Sequence, residues 1–169
     1  HSYFGNVVGV REHNEYELGF LRLYRETRNP RYLDLAVSLA RKDRVNPELA
    51  NTRANGRLHA VRVGYLLAGL ADLYIETGDE DLYRHLPSLW RDITERRMYV
   101  TGGVGDADEY FEVQPYVLRQ CLINPQKTYD NISETCAGTA MMFWGMRMAA
   151  ITGDSRVVDT VERTLYNHF

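Results

Sequence analysis

The chain has few cysteines, no long apolar run and no excess of basic residues. Its 169 residues include two cysteines, Cys121 and Cys136, too few for the disulfide framework of a small secreted protein. Reduced thiols and a cytoplasmic location are expected, with one bridge between the two cysteines as the alternative. The longest apolar stretch, 63–71, is much shorter than a membrane span, so a transmembrane protein is disfavoured.

The charge of the chain disfavours binding to nucleic acid or to an anionic membrane. The formal net charge is −3, and the 20 Lys and Arg residues are spread along the chain. Proteins that bind nucleic acid usually concentrate their basic residues on one face. We therefore expect no binding to nucleic acid or to an anionic membrane. The hydrophobic fraction of 44% is ordinary for a globular domain with its own core.

Three stretches share one pattern of apolar residues at helical spacing on both sides of a short break: 18–40, 63–93 and 141–166. Each break combines residues that end a helix with residues that begin one. Gly78 and Gly153 favour the left-handed backbone that closes a helix, and the residues suited to cap the next helix are Asn29, Asp79 and Asp154. The pattern predicts three helical hairpins with six helices, including one over 82–93. The fold class is therefore all-α, with a short extended piece considered at 98–100.

The spacing of the hairpins is irregular, because the break threonines lie 50 residues apart (27 to 77) and then 75 residues apart (77 to 152). This disfavours a regular solenoid and favours a toroid, in which hairpins surround a central cavity. The additional residues lie in the segment 101–133. A loop of that length is usually functional or disordered, and its aromatic residues favour function. We expect 101–133 to be an active-site loop.

Several residues in and around this loop could carry chemistry. Glu109 precedes two aromatic residues, which exclude water and favour the protonated carboxyl of a general acid; the alternative is a solvated loop acid. Glu134 and Cys136 could share a metal ion or influence each other's protonation. That requires an extended segment, since residues two apart in a helix point in nearly opposite directions. Otherwise they are a first-turn acid and a buried small side chain.

Histidines form a second group of candidates. His13 and His59 precede the first and third predicted helices, so both could line one cavity, although such residues are more often surface or capping groups. His85 and His168 have no neighbours that suggest a site. Trp90 and Trp144 are predicted to belong to the core or the cavity wall.

Taken together, these motifs resemble the catalytic helical barrel of glycoside hydrolase family 127, the β-L-arabinofuranosidases. Five segments match in order: His13-x-Glu15-x-Glu17, His59-Ala60-Val61-Arg62, the run from Arg97 to Gly105, Glu134-Thr135-Cys136-Ala137 and the tail 162–167. The resemblance covers nearly the whole chain. It implies that residues 1–169 are part of an (α/α)6 barrel that binds a carbohydrate substrate.

The resemblance also implies roles for particular residues. The family binds zinc through one glutamate and three cysteines, and one of these cysteines is the nucleophile of a retaining mechanism. By the resemblance, Glu134 and Cys136 are two zinc ligands, Glu109 is the general acid/base, and His13 and His59 bind sugar hydroxyls. The family's other cysteines, including the nucleophile, lie downstream of residue 169, and Cys121 does not match them. The chain alone is therefore expected to be inactive and to associate with itself.

The chain departs from the family pattern in its long loop. The segment between Glu109 and Glu134 is longer than usual, and Asp108 replaces the glycine that precedes the acid, so Glu112 is an alternative acid/base. Two other functions remain open. One is a non-catalytic helical scaffold or glycan-binding module. The other is a metal-free α/α-barrel sugar enzyme, such as an epimerase or a glycuronyl hydrolase.

Overall fold

The computed structural model describes residues 16–42, 60–105 and 133–169, and all regular structure in these ranges is helical. The helices are α1 (Tyr16–Thr27), α2 (Pro30–Lys42), α3 (Ala60–Thr77), α4 (Glu80–Tyr83), α5 (Leu86–Arg96), α6 (Thr135–Thr152) and α7 (Ser155–Asn167). The helices on either side of each predicted break pack on each other. The all-α prediction is confirmed. Within the described ranges, no helix is long and apolar enough to cross a membrane.

Each break is built by the same hydrogen bonds around a threonine. Thr77 Oγ1 donates to Leu73 O at 2.7 Å, and Asp79 N donates to Thr77 Oγ1 at 3.2 Å. Asp79 Oδ1 accepts from Asp81 N at 3.0 Å, which caps the following helix. The breaks after α1 and α6 repeat these three contacts. The predicted capping residues are therefore confirmed at all three breaks.

The residue after each threonine has left-handed backbone. Gly78 and Gly153 have φ of 67° and 65°, as the sequence predicted, and Arg28 has φ of 56° at the corresponding position of the first break. A residue with a Cβ adopts this backbone at a cost of roughly 1–2 kcal/mol. The first break therefore carries strain that the two glycine breaks avoid.

The predicted helix over 82–93 is wrong, because the chain turns between α4 and α5. Pro87 lies in the first turn of α5. Proline has no backbone N–H, so it could not donate to the carbonyl of Tyr83 as a continuous helix requires. The same residue fits the start of a new helix, where that hydrogen bond is not needed.

Helices α3 and α6 form the centre of the described structure and pack closely on each other. A Cβ on Gly64 of α3 would lie 2.7 Å from the Cβ of Ala140 in α6. Trp144 of α6 is fully buried and packs edge to face on Trp90 of α5, with ring centroids 5.0 Å apart. The predicted core position of both tryptophans is confirmed. Packing in the core therefore fixes the position of α6 and of the residues at its ends.

A buried carboxylate joins three helices around this centre. Asp72 of α3 is 6% exposed, and its two oxygens accept from Arg25 of α1 at 3.3 Å and from Arg147 of α6 at 2.7 Å. Arg25 also pairs with Glu76 at 3.1 Å. Burial opposes the charge on Arg25, but the two carboxylates outweigh it and raise the pKa of the guanidinium. The paired charges therefore hold α1, α3 and α6 in a defined arrangement.

The helix breaks give a test of local strain. Gly78→Ala is expected to lower the free energy of unfolding by about 1 kcal/mol, because alanine must adopt left-handed backbone there. Arg28→Gly is expected to raise it by up to about 1 kcal/mol for the converse reason. Melting temperatures followed by circular dichroism measure both changes.

The matched control is Gly19→Ala in α1, where a new Cβ meets nothing within 4 Å. Alanine is the better helix former, so this variant should be neutral or more stable. If Gly78→Ala melts no lower than Gly19→Ala, the strain account of the breaks is wrong.

Candidate active site

The loop after α5 is the matched run from Arg97 to Gly105, which we call the glycine loop. Arg97 anchors it, since its Nε donates to Asp92 Oδ2 at 2.6 Å and the residue is 8% exposed. Tyr99 N donates to Gly103 O at 2.8 Å, and Gly102 N donates to Tyr99 O at 2.9 Å. These bonds close a turn, so the short extended piece considered at 98–100 is not formed.

The glycine loop lies against the start of α6 and the end of α7. Ser133 Oγ donates to Val104 O at 2.9 Å, and the buried Thr164 donates from Oγ1 to Gly102 O at 3.0 Å. Gly102 has φ of 94°, and a Cβ there would lie 2.7 Å from Thr164 Oγ1. Glycine is therefore required for the loop to approach α7 this closely. The two motifs that the sequence singled out are adjacent in space.

Glu134 and Cys136 converge at the start of α6. Glu134 is the N-cap, with extended backbone at φ −76° and ψ 143°, and Cys136 lies in the first helical turn. Both side chains are half-buried, and Cys136 Sγ lies 2.9 Å from Glu134 Oε2. The extended N-cap is what allows residues two apart to face each other. The structure thus meets the geometric condition that the sequence set for these two residues.

The donor types of this pair fit zinc. Thiolate and carboxylate are both zinc ligands, and in a tetrahedral site the sulfur and oxygen atoms would lie roughly 3.5 Å apart. The distance of 2.9 Å differs from this by an amount that small side-chain rotations can supply. Among the described residues, no group of three or more His, Cys, Asp and Glu side chains could hold a metal. The described part of the chain therefore contains two candidate donors side by side and no complete metal site.

His168, which the sequence did not connect with a site, contacts the backbone of Glu134. It follows α7, and its Nε2 lies 3.2 Å from Glu134 O. Because a carbonyl oxygen can only accept, this hydrogen bond requires the tautomer with its proton on Nε2. The contact joins residues 34 positions apart, and the residues around His168 carry no metal-binding or catalytic pattern. No local signal could have identified it.

We call this cluster the α6 junction, formed by the glycine loop, the start of α6 and the end of α7: Gly102, Gly103, Val104, Ser133, Glu134, Thr164 and His168. His13, His59 and Glu109 lie outside the described residues, as do the alternative acid Glu112 and the second cysteine, Cys121. In sequence, His13 stands three residues before α1, His59 stands directly before α3, and Glu109 stands four residues after Gly105.

Solved structures with a similar fold are glycoside hydrolases. One named "The GH127, Beta-arabinofuranosidase" has a TM-score of 0.73 at 26% identity and covers 92% of this chain and 25% of its own. A GH127 β-L-arabinofuranosidase from Geobacillus stearothermophilus T6 has a TM-score of 0.71 at 30% identity, covering 92% and 28%. These likenesses agree with the predicted helical barrel and define the class as a glycoside hydrolase catalytic domain.

The particular family follows from the sequence comparison. The family model described as "Beta-L-arabinofuranosidase, GH127 catalytic domain" matches residues 4–169, so the chain belongs to this family. The resemblance inferred from the motifs is confirmed. A curated relative is the non-reducing end β-L-arabinofuranosidase of Bifidobacterium longum subsp. longum, 26% identical over 96% of this chain and 28% of the relative. The chain thus spans about a quarter of the length of these relatives.

The close packing of the junction predicts the effect of one added methyl group. A Cβ on Gly103 would lie 2.5 Å from Ser133 Oγ and 2.6 Å from His168 Nδ1. Gly103→Ala is expected to lower the free energy of unfolding by about 1–3 kcal/mol, the usual cost of overpacking. Gly103 does not have positive φ, so contact alone causes the loss. A melting temperature at or above the wild-type value would show that the junction is looser than described.

Proposed function

We propose that this chain forms one wall of the active site of a retaining glycoside hydrolase that releases a terminal L-arabinofuranose or a related sugar. The observation that carries the proposal is the contact of 2.9 Å between the Cys136 thiol and the Glu134 carboxylate. Its relatives are named as β-L-arabinofuranosidases, which supports the choice of sugar.

Glu134 and Cys136 are proposed as two ligands of a zinc ion. A bound zinc ion supplies positive charge that keeps coordinated thiols deprotonated at neutral pH. The described residues orient the two donors. The extended N-cap directs the Glu134 carboxylate, and the first turn of α6 places the Cys136 sulfur beside it. The remaining zinc ligands and the nucleophilic cysteine are proposed to come from a part of the protein outside this chain.

Glu109 is proposed as the general acid/base, with Glu112 as the alternative. The glycine loop supports this choice, because Val104 is hydrogen-bonded to Ser133, the residue before Glu134, and residue 109 follows Gly105 by four positions in sequence. His13 and His59 are proposed to hydrogen-bond sugar hydroxyls, and their place before α1 and α3 puts both at the same kind of helix end. A retaining enzyme needs its acid/base and its nucleophile about 5 Å apart across the bond that is cleaved.

Two further expectations belong to this proposal. The cytoplasmic location inferred from the two cysteines stays a prediction. The isolated chain is expected to associate with itself, because large apolar side chains of the last hairpin are exposed, among them Phe143, Met146, Leu165 and Phe169.

Zinc binding is the first test. In the full-length protein, Glu134→Ala and Cys136→Ser are each expected to reduce bound zinc severely, since each removes one ligand. Zinc per protein is measured by mass spectrometry after dialysis against a metal buffer. Glu95→Ala, which removes an exposed acid of α5, is the matched control and should retain zinc. Unchanged zinc in Glu134→Ala would refute the ligand assignment.

The acid/base is tested by its dependence on the leaving group. Glu109→Gln should lower kcat/KM on an alkyl β-L-arabinofuranoside by about 10²–10⁴-fold, because departure of a poor leaving group needs a proton. On a nitrophenyl furanoside the loss should be much smaller, since that group leaves without protonation. Glu112→Gln is the comparison variant and should stay close to wild type.

The reverse result, with the large loss in Glu112→Gln, would move the role to residue 112. Release of free arabinose by the wild-type enzyme separates the proposal from an epimerase or a non-catalytic scaffold. Retained activity after complete removal of metal would favour a metal-free sugar enzyme instead.

A further inference from the structure

We propose that His168 is a positioning residue, which holds the N-cap of α6 in the conformation that brings the Glu134 carboxylate to the Cys136 thiol. The inference rests on the zinc site of the proposed function. It assigns a role to a side chain that is outside the matched motifs and belongs to a different helix from the pair it controls.

The first support is the hydrogen bond on the Glu134 carbonyl. This oxygen accepts from Ala137 N at 3.1 Å and from Gly138 N at 3.3 Å, both within α6, and from His168 Nε2 at 3.2 Å. Rotation about ψ of Glu134 would swing the carbonyl away from all three donors. A donor that comes from α7 therefore resists any change from the extended value of 143°.

The second support is the confinement of the imidazole ring. Its Nδ1–Cε1 edge lies against Gly103, where a Cβ would come within 2.6 Å of Nδ1, and its Cδ2–Nε2 edge lies against Gly138, where a Cβ would come within 2.5 Å of Cδ2. The Phe169 ring packs edge to face on it, with centroids 5.9 Å apart. The ring is thus held on both edges and cannot move from the carbonyl without displacing the backbone.

The third support is the anchorage of α7 itself. The Thr164 hydroxyl donates to Gly102 O and is also 3.0 Å from Thr160 O, and the His168 N–H donates to Thr164 O at 3.1 Å. The end of α7 is therefore fastened to the glycine loop one turn before the histidine. This places the imidazole at a fixed height above the start of α6.

These contacts make His168 an outer support of the pair and not a ligand. Its Nε2 proton is engaged by the Glu134 carbonyl, so that nitrogen has no lone pair to offer a metal. Hydrogen bonds that orient ligands in this way are worth about 10–100-fold in metal affinity. The Glu134 carboxylate depends on backbone geometry, so loss of the imidazole should weaken zinc binding although both ligands remain.

The test compares four variants of the full-length protein. His168→Leu removes the donor, His168→Gln keeps an N–H near the position of Nε2, Gly138→Ala pushes the intact ring away from the carbonyl, and His85→Leu removes a histidine that lies outside the junction. Zinc dissociation constants are measured by competition with a chromogenic chelator. In the cobalt(II)-loaded protein, the intensity and position of the thiolate-to-cobalt charge-transfer band report how many thiolates coordinate, so loss of Cys136 from the site changes the band.

We expect zinc to bind about 10–100-fold more weakly in His168→Leu and in Gly138→Ala, with a shifted charge-transfer band, and within about threefold of wild type in His168→Gln. His85→Leu should match wild type. Gly138→Ala keeps His168 itself, and its gain in helix propensity offsets part of the overpacking cost, so it provides a second route to the test if His168→Leu does not fold.

Wild-type zinc affinity in both His168→Leu and Gly138→Ala would overturn the inference. So would equal losses in His168→Gln and His168→Leu, since the ring's bulk and not its N–H would then matter. If wild type binds zinc and Glu134→Ala does not, either of these results refutes only the role of His168, and the proposed zinc site stands. If wild type binds no zinc, the proposed site fails together with the inference.

Discussion

The change of backbone conformation at Glu134, from extended to helical within one residue, is the constraint on which the candidate site depends. In an uninterrupted helix, residues two apart point to opposite sides, and the Glu134 carboxylate could not reach the Cys136 thiol. At the N-cap the side chain leaves in a different direction, and the two atoms meet at 2.9 Å. The proposed chemistry therefore depends on α6 starting directly after Glu134.

That starting point is held by contacts from three segments. The glycine loop fixes Ser133, α7 brings His168 to the Glu134 carbonyl, and the body of α6 is packed against α3 in the core. Each contact requires close approach of backbones, and glycine permits that approach at Gly102, Gly103 and Gly138. The glycines of the loop motif thus have a packing role beside α6 and α7. A site that must hold donors to within fractions of an ångström benefits from such rigid surroundings.

Much of the helical scaffold was predictable because its signals are local. The breaks at Thr27, Thr77 and Thr152 use capping side chains and left-handed residues that act over four or five positions, and all three were located from sequence. The turn between α4 and α5 was missed, although its cause, Pro87, is also local, because the apolar pattern continues across it. The roles assigned to His13, His59 and Glu109 stay predictions, since they lie outside the described residues.

The sequence by itself determined the all-helical class, the three breaks and the family, and it selected Glu134 and Cys136 as a candidate pair. These follow from spacing, capping residues and motifs, which need no knowledge of distant contacts. Only the tertiary structure decided that the pair converges, that the glycine loop packs beside it and that His168 supports it. The convergence follows from the extended backbone of Glu134, whose carbonyl accepts from His168. The packing of the glycine loop and the contact of His168 depend on atoms from segments separated by 29 to 62 residues, which become neighbours only when the helices pack.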